Sequence, residues 1–181
     1  MIGRLLRRLP VAGERRSPFA GSGFAAPHDI TVTSATFDDS AALPKACAGK
    51  GVGDDTSPQL SWTGIPPQTR QLVLIIDDID VPLPRPLFHS IAVIDPAVRN
   101  VATGALQPGA AGIRFIPGTL GNHGYAGPRP IPGHGPHRYR FLVFALDWPI
   151  EASVTTSKAL VKQMAGHVLA RGTLTGTYER A

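Results

Sequence analysis

The chain has 181 residues, 43% of them hydrophobic, which suffices for one domain with a proper core. Its formal charge of +5 sits almost wholly in Arg4, Arg7, Arg8, Arg15 and Arg16 against Glu14, so the remaining body is close to neutral and offers nucleic acid no basic groove. One cysteine, Cys47, excludes an internal disulfide, and no apolar run approaches the ~18 residues of a membrane-spanning helix.

MIGRLLRRLP, at the start, lacks the apolar stretch and small-residue cleavage site of a secretory signal, and with the lone cysteine this points to a cytoplasmic location. Residues 1–25 read as a basic arm, either solvated or lying on the body, a partner or a lipid surface, and residues 26–181 as one domain. ITVTSATF (Ile30 to Phe37) alternates apolar and polar residues as a half-buried strand does. Asp38 to Thr56 reads as loop, with Cys47 as a small buried hydrophobe. Leu60 and Trp62 then share one side of a brief extended piece.

QLVLIIDD is a nearly continuous apolar run, the pattern of a central strand buried on both faces, and HSIAVIDP repeats it. Pro82, Pro84 and Pro86 fill the connection between them, and the two runs read as antiparallel neighbours. From Asn100 to Gly135 the chain is mostly glycine, proline and small residues. A loop of that length argues for a wall of a site. HRYRFLVFALD is the clearest strand, with Tyr139, Phe141, Val143 and Ala145 on one face and Arg138, Arg140, Leu142, Phe144 and Leu146 on the other. Thr156 to Leu169 reads as a helix with its cap at Thr156 or Ser157, and His167 near its end is explained by the helix dipole. Gly172 to Glu179 alternates as a closing strand.

Polar residues with chemistry gather where these apolar runs begin and end. Asp78 and Asp80 share a face if the strand continues through them, while His89 and His137 each open a strand and Tyr139 follows two residues on. Buried carboxylates are costly unless paired, so the cluster predicts a small polar pocket. His123 and Tyr125 are lesser candidates. A metal site would use the His and Asp side chains, but close spacing of the HExxH kind is absent, and no metal or other cofactor is expected. A hydrolase would need an acid and a base here, yet no GxSxG elbow is present. Ligand binding fits better. GNHGYAGPRPIPGHGPHRY supplies glycine amides, Gly124 and Gly127 among them, that can converge on an anion beside the histidines.

Several ordered segments from Ile30 to Arg180 carry a family resemblance. DDTSPQLSW is similar to an SPxLxW segment and DIDVP to a DPDAP signature. FHSIAVID is similar to the strand that follows, GPRPIPGHGPHRYRF to a GPxPPxGxHRYxF segment, and AGHVLARGTLTGTY to a C-terminal helix and strand. In these the chain resembles the phosphatidylethanolamine-binding protein family, in its bacterial Raf-kinase-inhibitor-like branch. The resemblance implies a mainly β fold, a large antiparallel sheet packed on a smaller one with peripheral helices. It also implies a non-catalytic cavity for a small anion or a phosphoethanolamine-like phospholipid headgroup. Asp78, Asp80, His89, His137 and Tyr139 fall on the pocket positions, with Gly124 and Gly127 giving backbone access. A kinase-inhibitor-like regulator of proteins and a weak hydrolase are the alternatives. The associations this reading admits are the small ligand, a protein partner, a homodimer and peripheral membrane contact through the arm. Two departures stand out. Ile79 replaces the first proline of DPDAP, and Ser90 stands where bacterial relatives often carry tryptophan, a change expected to widen the pocket.

Overall fold

A computed structural model describes residues 2–180. After a short helix α1 (Ile2–Leu6), the strands are β1 (His28–Asp29), β2 (Thr31–Thr33), β3 (Leu60–Thr63), β4 (Gln71–Asp78), β5 (Leu87–Ile94), β6 (Asn100–Val101), β7 (Ile113–Phe115), β8 (His137–Leu146) and β9 (Val168–Tyr178), with α2 (Ser157–Met164) before the last. A six-stranded sheet runs β1-β9-β8-β4-β5-β7 and a three-stranded sheet β2-β3-β6. Neighbours are antiparallel except β1 and β9.

The apolar run of β4 does lie at the centre, and alternation sends its side chains to two separate cores. Leu72, Leu74 and Ile76 join Tyr139, Phe141 and Val143 of β8 between the sheets, where Leu60 and Trp62 of the smaller sheet cover them. Val73 and Ile75 face the other way, with Leu142 and Phe144, under Leu160 and Met164 of α2.

The expected arm is part of that second core. Phe19 and Phe24 are 4% and 5% exposed, and Phe19 packs its ring 5.1 Å from that of Phe144. Backbone amides of Ala12 and Gly13 donate to the carbonyls of Val81 and Ile79. Two isolated aromatics among prolines and glycines carry no periodic signal, so chain order alone does not choose between a solvated arm and one lying on the body.

Element ends differ from the sequence expectations for identifiable reasons. The strand expected over Ile30 to Phe37 is shorter: β1, just before it, joins the large sheet, β2 joins the small one, and pairing stops at Thr33. Beyond it Ser34 and Thr36 side chains bond the backbone of Gln59. The Thr156 hydroxyl caps α2 by accepting from the Ala159 amide at 3.2 Å, but the helix stops at Met164 instead of Leu169. Gly166 adopts φ +85°, and Val168 already pairs with Leu146, so Val168 and Leu169 belong to β9. His167 caps no helix; its Nδ1 lies 2.9 Å from Asp147.

Candidate ligand-binding site

β4 ends in Asp77 and Asp78, and alternation separates them onto opposite faces of the sheet. Asp77 is 0% exposed and forms a bidentate pair with Arg140, at 2.9 and 2.6 Å. Burial pushes its carboxyl above the usual range by more than Arg140 pulls it down. Asp78 faces the other way, and its Oδ2 lies 2.7 Å from Nδ1 of His137.

The strand does not continue to Asp80. Ile79 is buried where the chain turns, its amide donating to Arg138 and its carbonyl accepting from Gly13, so backbone bonds hold the turn without the family's first proline. The Asp80 side chain therefore parts from that of Asp78, although its amide donates to Asp78 Oδ1 at 2.9 Å, and takes Arg138 at 2.9 and 2.8 Å. Partial burial raises its carboxyl, but hydrogen bonds and charge from Arg138 prevail and hold it below the usual range.

His89 reaches the site through a bulge. Ser90 pairs with Ile76 and Phe88 with Asp77, leaving His89 as the extra residue of β5, aimed into a cavity of about 440 Å³. Its Nδ1–H donates to the Ala126 carbonyl at 2.7 Å, so in the neutral ring Nε2 is an acceptor. Burial holds the imidazole below its ordinary value. Tyr139 closes the floor, its ring edge-on to His89 at 5.1 Å. The Tyr139 hydroxyl is buried and has no hydrogen-bond partner among the described residues. Burial, and then the Asp78 carboxylate, push its ionisation far upward, so it is a donor at every physiological pH.

Asp78, His89, Gly127, His137 and Tyr139 line this cavity together. Asp80 and Gly124 do not: Asp80 turns to Arg138, and Gly124 packs against Leu106 and Pro108. The Gly127 amide is not presented as part of an anion nest, because it donates to Asp55 at 2.7 Å. Its lack of a side chain matters for a different reason, since a Cβ there would overlap the Cys47 carbonyl. Ser90 is fully buried on the core face of β5, so the expected widening of the pocket does not arise from it. Tyr125 gives its hydroxyl to the Cys47 carbonyl, and His123 is exposed in a separate surface depression.

His134 was not singled out in the sequence. Its Nδ1 lies 2.7 Å from Nε2 of His137, extending Asp78–His137 into a buried chain of three polar side chains. The two histidines of GHGPHRY sit three apart, and only the turn between them brings their rings face to edge. Arg129, Arg180 and the exposed Leu83, Leu120 and Ile131 surround the mouth, and chain order alone does not bring them there. Among the described residues no group of three His, Cys, Asp or Glu is placed to hold a metal.

A sequence model of the phosphatidylethanolamine-binding proteins matches residues 33–179. The chain belongs to the phosphatidylethanolamine-binding protein family. A UPF0098 protein of Chlamydia muridarum is 37% identical over 157 residues, covering 83% of this chain and 99% of its own. A UPF0098 protein of Pyrococcus horikoshii is 37% identical over 152 residues, covering 81% and 75%. Among solved structures, a phosphatidylethanolamine-binding protein homologue from Chlamydia trachomatis superposes with a TM-score of 0.75 at 32% identity, over 85% of this chain and 99% of that one. YbcL of E. coli shares the fold with a TM-score of 0.77 at 24% identity, over 84% and 99%. The two-sheet, mainly β architecture is thus the family's, and within it the Asp/His cluster is consistent with small-ligand binding.

Proposed function

We propose that the cavity binds a small oxyanion or a phosphoethanolamine-like phospholipid headgroup without transforming it. The observation that carries this reading is the Tyr139 hydroxyl, a buried donor that makes no geometric hydrogen bond among the described residues, at the floor of the cavity beside His89 and near the Asp78 carboxylate. Buried donors are rarely left unpaired, and a ligand oxygen at that point supplies the missing acceptor. His89 Nε2 accepts from a protonated ligand oxygen or, once protonated, donates to an ionised one. Both nitrogens of His137 are taken by Asp78 and His134, so His137 orients the carboxylate and leaves Asp78 to receive the ligand's ammonium or hydroxyl. Leu83, Leu120 and Ile131 at the mouth, next to Arg129, suit an amphiphile whose headgroup enters while its chains stay outside. On this reading peripheral membrane contact is made by the cavity rim. Assignment to the Raf-kinase-inhibitor-like branch is supported by AGHVLARGTLTGTY, and a cytoplasmic location by the free, buried thiol of Cys47.

Titrating phosphate and phosphoethanolamine into the full chain by calorimetry tests the assignment. His89→Ala and Asp78→Asn should each weaken phosphoethanolamine about tenfold or more, roughly 1.4 kcal/mol. Unchanged affinity in both variants would sink the assignment. Co-sedimentation with phosphatidylethanolamine vesicles separates a lipid headgroup from a free anion.

A further inference from the structure

The face of the large sheet turned away from Asp78 carries a second concavity, of about 470 Å³. β8 forms its floor through Arg140, β9 one wall through Arg171, Thr173 and Thr175, and the N-terminal segment the other through Glu14, Arg15 and Ser17. Alternation explains the β9 wall, because residues 171, 173 and 175 share one face of the strand.

Arg140 and Arg171 are each held on one side and open on another. Arg140 spends Nε and Nη2 on Asp77, leaving Nη1 without a hydrogen-bond partner among the described residues. Arg171 spends Nη1 on the carbonyls of Phe19 and Phe24, at 3.3 and 3.1 Å, leaving its Nε and Nη2. Arg15 makes no side-chain hydrogen bond or ion pair among the described residues. Asp77 neutralises Arg140 from beneath and Glu14, on the wall, offsets a further charge, so with both Arg15 and Arg171 present the concavity keeps an excess of positive charge. The hydroxyls of Ser17, Thr173 and Thr175 add neutral donors.

We propose that this concavity is a second anion site, taking a phosphate ester, distinct from the Asp78–His89 cavity. Donors approach from the floor and from both walls. That suits a tetrahedral group with three or more acceptor oxygens, whereas a planar carboxylate engages a single guanidinium fork. This site also gives the arginine-bearing segment a role: folding of residues 14–20 onto the sheet completes it.

The test is a titration of the full, isotope-labelled chain with glycerol phosphate, followed by amide chemical shifts. Two saturable sets of shifts are expected, one around His89 and Tyr139, the other over residues 14–20 and 171–175. Arg15→Glu, on an exposed side chain, should weaken the second set at least tenfold and leave the first unchanged, while His89→Ala should do the reverse. Arg171→Gln, checked for a dispersed spectrum, should act as Arg15→Glu does. Absence of saturable shifts at residues 171–175 in the wild-type chain would overturn the proposal, as would unchanged affinity in both arginine variants. Co-sedimentation with phosphatidic acid vesicles that Arg15→Glu abolishes assigns the phosphate to a lipid headgroup. Saturation by glycerol phosphate without vesicle binding assigns it to a soluble ester.

Discussion

Ser90 carries a buried hydroxyl with no partner among the described residues, set against Ile76 in the middle of the large sheet. A desolvated, unpaired hydroxyl costs stability, so Ser90→Ala should be neutral or stabilising by up to about 1–2 kcal/mol in urea denaturation. A clear loss would mean that a buried water satisfies it. His89 makes a prediction of the opposite kind, about ligand rather than fold. Burial depresses its pKa in the free protein, and an oxyanion at Nε2 favours the imidazolium, so binding takes up a proton. Sulfate, which does not titrate in this range, should therefore bind more tightly as pH falls through the ordinary histidine range. The gain should level off below the depressed value of the free protein, and His89→Gln should flatten the profile. The sign for stability is the reverse. The unfolded chain protonates His89 near 6.5 while the fold resists, so the stability of the unliganded protein should fall as pH drops below that value.

At the level of elements, the strongest electrostatic contact lies across β4 and β8. Asp77 and Arg140 are buried together, and removing only the arginine strands a carboxylate in an apolar surround. Arg140→Met should cost about 3–5 kcal/mol in chemical denaturation, and Asp77→Leu in the same chain should recover most of it. Failure of the second change to rescue would show that Arg140 acts through packing and not through charge. The bulge in β5 is a separate device. It turns one residue of a regular ladder out of register, and that residue is the one histidine of the strand, His89.

For the whole molecule, the N-terminal segment closes one side of the fold. Phe19 and Phe24 seal the core beneath α2, and Arg171 of β9 holds their carbonyls in place. Phe19→Ala should cost about 3–5 kcal/mol, the loss typical of a large buried aromatic. Deleting residues 1–8 should lower the melting temperature far less than deleting 1–24, because the shorter cut leaves both phenylalanines in the core. An equally small effect of the two deletions would argue that residues 9–24 are dispensable to the body.

The strands that carry the site were legible because their apolar runs are long and their neighbours abrupt. LVLII ending in acids, and HRYRFLVFAL with its two-residue alternation, declare a central strand and its partner face by face. The family resemblance was legible for the same reason, in ordered motifs at strand ends. What chain order did not carry was the relation between polar groups whose partners lie elsewhere. Asp78 and Asp80 look equivalent two residues apart, yet the turn at Ile79 sends one to His137 and the other to Arg138. His134 joins the first pair only through the turn before β8, and Phe19 and Phe24 find their core only once β8 and α2 exist to receive them. Local periodicity is set by the backbone and reads directly from the sequence. Bulges, turns and long-range hydrogen bonds depend on which donor meets which acceptor across the sheet, and only the assembled fold decides that.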